Sequence, residues 1–522
     1  MDTTATIEGK AKTRNGVKRL IFVIISILIE VLFVLSIIIK FNEYAEWISI
    51  ATRVLALILV LVIYGDGDNK SASIKMPWII LILLAPLLGL SLYLMIGLNA
   101  YTAGMRKRFR GIDAVLLPKL RHDSNLTRSM AEEEMPFSGV SSYVEQYSAY
   151  PPYRNTDVEY YSEASDGLEA QLREMRKAKD FIFMEYHAIE DAESFHRIEE
   201  VLVAKVKEGV EVRLFYDDMG SIGFITTDFV RRMNQKGIKC RVFNPFAPGL
   251  NIFLNNRDHR KITVIDGKVG FTGGYNLANE YFNLTHPYGY WKDTGVRLEG
   301  DAVRSLTVTF LEMWNAIRGN DIDDEDFGRY LKVHDYEARE GGVVQPYADS
   351  PMQGEHVGEC VYAAVARGAK KYAWFVTPYL IITDEMNYVL GMAAKNGVDV
   401  RIITPGIPDK KLVYSVTRSY YAALVKNGVR IYEYTPGFCH CKMSVADDAV
   451  ATCGTINLDY RSLYHHFENG CLLFRKQAVH DIREDFEDMF AQSEEVTEKY
   501  RSGLSSHLRF GQLLLRLIAP LL

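Results

Sequence analysis

What this chain lacks most plainly is a basic surplus. Its 522 residues carry 60 Lys and Arg against 66 Asp and Glu, a formal net charge of −6. Proteins that hold nucleic acid by its phosphates present a basic surface, so this balance speaks against nucleic acid as a general partner. Cysteine is scarce as well. The 6 residues, at positions 240, 360, 439, 441, 453 and 471, include no C-x-x-C pair. That usage fits reduced thiols and not a disulfide framework. The first apolar run has no clear small-x-small cleavage site, which argues against a removed signal peptide. Nor is the chain short of core material, with 48% hydrophobic and 12% aromatic residues. That is a globular composition, and the length calls for two or more domains.

What is present begins with three apolar runs behind a leader bearing Lys10, Lys12, Arg14, Lys18 and Arg19. Residues 20–39 are interrupted only by Glu30, residues 47–64 carry Arg53, and residues 76–98 carry no charge. About 20 apolar residues span a bilayer as a helix, so two or three transmembrane helices and a multi-pass place in a cell membrane are expected within residues 1–100. The basic residues Arg106, Lys107, Arg108 and Arg110 follow the third run. The positive-inside tendency would put them and the leader on one side, which conflicts with three full spans. Residues 101–148 read as a polar linker, and Pro151-Pro152 marks the start of the globular part.

From there short β-favouring runs alternate with helical stretches, the pattern of α/β architecture. Residues 207–213 (KEGVEVR) parallel 395–401 (KNGVDVR), and residues 236–239 (KGIK) parallel 427–430 (NGVR), as an internal duplication requires. The strongest repeat is H-x-K-x4-D-x6-G-x2-N. One copy comprises His259, Lys261, Asp266, Gly273 and Asn276; the other comprises His440, Lys442, Asp447, Gly454 and Asn457. A single H-x-K says little, but two copies with identical offsets point to one site built twice.

Each copy reads as strand, turn, strand, with Asp266-Gly267 and Asp447-Asp448 as the turns. Residues two apart on a strand share a face, so each His and its Lys reach one pocket. If the halves pack face to face, two imidazoles meet two cations and two amide donors, a set suited to a phosphoryl group. One imidazole can attack phosphorus while the other moves the proton of the leaving and entering alcohols. Lys and Asn supply the charge stabilisation, so no metal and no cofactor is expected. A turn aspartate is common for backbone reasons alone, which leaves Asp266 and Asp447 between a catalytic and an architectural role. Cys439-His440-Cys441 has the look of a metal cluster, yet strand alternation sends His440 to one face and both thiols to the other.

Two such motifs in one chain resemble the phospholipase D superfamily. The surrounding residues, Asn256 to Lys261, Gly273 to Asn276, Trp291 to Thr294, Gly437 to Lys442 and Asn457 to Ser462, resemble bacterial cardiolipin synthase. The resemblance implies two duplicated phospholipase D-like α/β/α halves packed into one catalytic unit, residues 149–335 and 336–500, behind the membrane helices. It also implies a phosphatidyltransferase that joins two phosphatidylglycerol molecules into cardiolipin and glycerol through a phosphatidyl-histidine intermediate. His259 would be the nucleophile and His440 the acid/base, with Glu468 orienting His259 and Asp293 orienting His440 from the opposite half. Asn276 and Asn457 would bind phosphate. Threonine at 455, where serine is common in the family, keeps the hydroxyl.

Other readings share the motif. A phospholipase D-type hydrolase or a transferase using another phospholipid or alcohol would use the same residues. A nuclease is disfavoured by the acidic balance. The last stretch, residues 501–522, alternates leucines with Arg509 and Arg516, as either a helix packed on the core or an amphipathic helix on anionic lipid would.

Overall fold

The computed structural model describes residues 46–65, 71–93, 103–120, 125–245, 256–317 and 326–519, with a few isolated positions between 25 and 39. Two sheets dominate it. In chain order the first half contributes β1 (Thr156–Tyr161), β2 (Phe181–Tyr186), β3 (Glu211–Asp217), β4 (Lys239–Phe243), β5 (Lys261–Ile265), β6 (Val269–Gly273), β7 (Tyr290–Lys292) and β8 (Gly295–Gly300). The second half contributes β9 (Val343–Asp349), β10 (Tyr372–Val376), β11 (Asp399–Pro405), β12 (Arg430–Tyr434), β13 (Gly437–Cys439), β14 (Met443–Ala446), β15 (Val450–Gly454), β16 (Glu468–Phe474) and β17 (Ser493–Glu495).

The first sheet runs β1-β8-β6-β5-β2-β3-β4, and the second runs β9-β16-β15-β14-β10-β11-β12 with β17 added at its edge. Strand for strand these are the same order, so the duplication read from the sequence is a duplication of topology. In each sheet the three strands connected through helices are parallel and the rest antiparallel. Helices cover both faces, so the central strands are mostly apolar: β2, β5, β6 and their counterparts β10, β14 and β15 are buried or nearly so along their length. The hairpin turns fall where expected, with positive φ at Asp266, Gly267, Asp447 and Asp448.

The halves are joined backbone to backbone at two related places. β7 pairs with β13 in parallel, and Asp258 bridges Phe467 in the same sense. Each junction lies just before a motif histidine on one side and just before a carboxylate-bearing strand on the other.

The N-terminal expectation needs correction. Among the described residues no helix is long and apolar enough to cross a membrane, which overturns the transmembrane helices and the multi-pass placement built on them. The first run, residues 20–39, lies almost wholly outside the described residues. The second coincides with the helix Glu46–Gly65, whose Ala56 and Ile63 pack on Ile82 of the next helix. The third is broken: Ala72–Leu84 ends at Ala85, whose backbone leaves the helical region (φ −137°, ψ 75°), and Pro86–Leu92 starts anew. Proline at the first position of a helix favours such a restart. Thirteen residues rise only about 20 Å, short of a bilayer core of about 30 Å.

The stretch read as a polar linker is also structured. It holds the helices Ala103–Leu116, Leu126–Glu132 and Ser138–Ser148, which bury Phe109, Ile112, Leu116, Met130, Val140 and Val144 in the main core. Their apolar residues recur at helical spacing between polar and charged ones. At the other end the helix Phe510–Ile518 lies on Lys411–Lys426, with Arg516 4.2 Å from the Tyr420 ring centroid, and leaves Phe510, Leu513 and Leu514 exposed.

Candidate active site

The segment that delivers His259 is fixed before it reaches the pocket. Arg257 makes a fork of hydrogen bonds to Asp217, with Nε 2.9 Å from Oδ2 and Nη2 2.8 Å from Oδ1. The same carboxylate accepts the Asp258 amide at 3.0 Å. His259 N then donates to Phe467 O at 2.9 Å, which sets the imidazole beside Glu468 of the other half. Nδ1 lies 2.9 and 3.0 Å from the two Glu468 oxygens. Arg260, fully buried, donates through Nε to Glu468 O at 3.2 Å and sits 3.8 Å from Glu185 and 3.7 Å from Glu312.

His440 is delivered the same way from the second half. Its amide donates to Lys292 O at 2.8 Å, and its Nδ1 lies 2.6 Å from Asp293 Oδ2. Each imidazole is thus oriented by a carboxylate from the opposite half. A ring nitrogen facing a carboxylate carries the proton, so Nε2 is left with its lone pair. Three glycines make this approach possible. A Cβ on Gly273 would meet Thr294 O at 2.4 Å, and one on Gly454 would meet Asn469 O at 2.5 Å. A Cβ on Gly274 would stand 2.1 Å from Asp293 Oδ1. These glycines serve the neighbouring strand and the carboxylate.

Both motif lysines are almost wholly buried. Lys261 Nζ donates to His259 O. Lys442 Nζ donates to His440 O and lies over the His440 ring edge, 2.6 Å from Nδ1 and 2.9 Å from Nε2. Burial pushes the Lys261 ammonium down to about 7, with Glu468 opposing and Lys442 adding to the effect, and lowers Lys442 against the pull of Asp293. It pushes His440 down to about 3, with Lys442 adding to the effect and Asp293 opposing it. His259 is lowered for the same reason, reinforced by Lys261. The burial that disfavours the protonated lysines and imidazoles would be offset by an anion at their free edges. A phosphodiester supplies one.

Asn276 and Asn457 border the same site but are partly committed. Asn276 Oδ1 accepts the Ala188 amide at 3.1 Å and its Nδ2 donates to Tyr281 Oη at 2.8 Å. Asn457 Nδ2 donates to Asp459 at 3.0 Å. Each amide nitrogen has a second N–H to offer. Thr455 uses its hydroxyl on Glu468 Oε2, so the hydroxyl that the family position keeps holds the carboxylate behind His259.

Asp266 and Asp447 belong elsewhere. Asp266 accepts the amides of Lys179, Asp180 and Phe181 at 2.8 Å each, and Asp447 accepts those of Lys370, Lys371 and Tyr372. Both pin the start of a central strand from the far end of the hairpin, and neither carboxylate hydrogen-bonds an imidazole. A strand of five residues separates Lys261 from its turn, which carries the aspartate to the opposite end of the sheet. The architectural alternative is the one realised.

Three aromatic neighbours were not singled out by the sequence. His187 stands edge-on to His259 with ring centroids 5.0 Å apart and donates through Nδ1 to Asp258 O at 2.7 Å. His466 lies 5.4 Å from His259, and Trp291 lies 5.4 Å from His440. His466 and Trp291 each precede their carboxylate by two residues, so the signal that pairs them was available once Glu468 and Asp293 had been named.

A family model described as cardiolipin synthase, PLD-like domain, matches residues 172–314 and 363–490. One described as phospholipase D-nuclease N-terminal matches residues 54–97. The chain is 39% identical over 461 residues to an uncharacterized protein of Streptococcus mutans serotype c, covering 88% of this chain and 99% of that one. It is 31% identical over 460 residues to cardiolipin synthase 2 of Bacillus cereus, covering 87% and 88%. It is 30% identical over 459 residues to cardiolipin synthase of Geobacillus kaustophilus, covering 87% and 90%. Among solved structures, the phosphatidylserine synthase of Haemophilus influenzae matches with a TM-score of 0.54 at 14% identity, over 73% of this chain and 97% of that one. At that identity the likeness concerns the fold.

Proposed function

The chain belongs to the cardiolipin synthase family of the phospholipase D superfamily, and from that premise we propose that it makes cardiolipin and glycerol from two molecules of phosphatidylglycerol. The observation that carries the reading is the crossed pair of contacts, His259 with Glu468 and His440 with Asp293, in one pocket with two buried lysines.

His259 Nε2 attacks the phosphorus of the first phosphatidylglycerol, and a phosphorus–nitrogen bond forms as the bond to the glycerol oxygen breaks. His440, protonated as the anionic phosphate enters, gives that proton to the departing glycerol. Glu468 holds the His259 tautomer and stabilises the imidazolium. Lys261, Lys442 and the free N–H of each asparagine neutralise the phosphoryl oxygens. In the second half-reaction His440 takes the proton of a glycerol hydroxyl on the second phosphatidylglycerol, whose oxygen displaces His259. Cardiolipin leaves, and both imidazoles return to their starting states.

Enzyme given phosphatidylglycerol in detergent or vesicles is expected to release glycerol and cardiolipin in equal amounts. Phosphatidic acid as the main product would replace this reading with a hydrolase.

A further inference from the structure

The two imidazole sites differ at one place with chemical consequences. At the position two residues before the carboxylate, His440 has Trp291 and His259 has His466. Tryptophan offers only an N–H donor, whereas a neutral histidine offers a lone pair. His466 is about nine-tenths buried, and among the described residues neither of its ring nitrogens has a hydrogen-bond partner. Its Nδ1 lies 3.6 Å from Glu468 Oε1, beyond a good hydrogen bond. Glu468 is thereby flanked by two imidazoles, with His259 Nδ1 at 2.9 Å on the other side.

We propose that His259, His466 and Glu468 form a binding site for a divalent transition-metal ion of the zinc type, and that the ion inhibits the enzyme. One donor atom from each residue lies within 4.8 Å of the others. Around a tetrahedral ion with ligands at about 2.0–2.1 Å, neighbouring donors stand about 3.3–3.5 Å apart. The contacts of Glu468 to both rings already bracket that spacing, so only the two rings must close on each other. Two imidazoles and a carboxylate are a recurrent three-residue zinc set that leaves the fourth position open. The Thr455 hydroxyl on Glu468 supplies the outer support such a ligand needs. His187 stays outside the set, because its Nδ1 is committed to Asp258 O.

Binding stands on this geometry alone, whereas inhibition rests on His259 being the nucleophile. Whichever ring nitrogen takes the ion, attack is blocked. An ion on Nε2 occupies the lone pair, and an ion on Nδ1 leaves the ring proton on Nε2. Metal binding and phosphatidyl transfer to His259 are therefore mutually exclusive.

The test uses the full chain with cobalt and zinc chlorides. Cobalt bound to the wild type is expected to show the intense visible bands of a four-coordinate site, displaced by one equivalent of zinc. His466→Asn should weaken zinc binding about tenfold or more, while His466→Cys, which keeps a ligand, should retain it. Zinc should also abolish the covalent lipid adduct trapped by rapid denaturing quench of the wild type. No cobalt spectrum in the wild type, or equal zinc affinity in the wild type and a folded His466→Asn, overturns the site. If His466→Asn does not fold, loss of zinc binding in a folded His466→Cys overturns it. A normal cobalt spectrum with an undiminished adduct leaves the site standing and refutes the inhibition, which points back to the role given to His259.

Discussion

The two halves present the same backbone frame and dress it differently. On the His259 side the orienting carboxylate is a glutamate, held by the Thr455 hydroxyl and set 2.9 and 3.0 Å from one ring nitrogen. Two further histidines, His187 and His466, stand against that ring. On the His440 side the carboxylate is an aspartate at 2.6 Å, admitted by the missing side chain of Gly274. The walls there are Trp291 and Tyr281, and the motif lysine touches the ring itself. A duplication fixes where two groups stand; the neighbours set what each can do. A ring with a lysine against both its nitrogens and a tight carboxylate at Nδ1 suits proton exchange. A ring whose Nε2 the motif lysine does not touch suits attack on phosphorus.

Removing an imidazole is the strongest way to break this comparison. His259→Ala and His440→Ala are each expected to lower transferase activity by about 10³-fold or more. They should part in the covalent adduct, retained by His440→Ala and absent from His259→Ala after a rapid denaturing quench. The opposite pattern would exchange the two roles.

The carboxylates come next. Glu468→Gln and Asp293→Asn should each cost about 10²–10⁴-fold in kcat with little change in KM, because a partner that only orients an imidazole acts in the transition state. An effect confined to KM would remove the carboxylates from the proton-handling machinery.

A smaller effect sharpens the contrast through pH. Burial lowers the affinity of all four site histidines for protons, to about 3 in His187 and His440. The unfolded chain binds those protons below about pH 6.5 and the folded one does not. Stability is therefore fully present above that pH and lost as pH falls from about 6.5 towards 3. His187→Gln and His440→Gln should each flatten the loss by up to about 1.4 kcal/mol per pH unit, measured by denaturant titration at pH 7 and 5. Three of the four histidines lie on the His259 side, so most of the acid sensitivity should map there.

The smallest effect on catalysis is expected where the halves are alike. Asp266→Asn and Asp447→Asn each weaken a carboxylate that accepts three backbone amides at the surface. Each should cost about 1–2 kcal/mol of stability and leave kcat within a few-fold. Asparagine tolerates the positive φ at both turns, so strain does not confuse the result. A loss as large as that of the histidine variants would return these aspartates to the chemistry.

Much of this was legible in the chain because it is local. His–Lys spacing of two puts both on one strand face, and an Asp-Gly turn closes a hairpin, whatever surrounds them. The alternation of helix and strand, repeated in KEGVEVR and KNGVDVR, gave the duplicated α/β order. Hydropathy misled where continuity was assumed. Residues 76–98 are apolar throughout, yet Ala85 and Pro86 break them into two helices. Charge misled in the opposite direction between residues 103 and 148, where a minority of apolar residues at helical spacing bury three helices in the core.

By itself the sequence determined that one His–Lys–Asn motif occurs twice and that each copy is a strand, a turn and a strand, since hairpin geometry and an internal repeat are properties of neighbours along the chain. Only the tertiary structure decided which carboxylate faces which imidazole at hydrogen-bonding distance, that Asp266 and Asp447 hold backbone, and that His466 stands beside Glu468 with no hydrogen-bond partner among the described residues. Those contacts join residues of opposite halves or opposite ends of a strand. Their geometry exists only once β7 has met β13 and Asp258 has met Phe467.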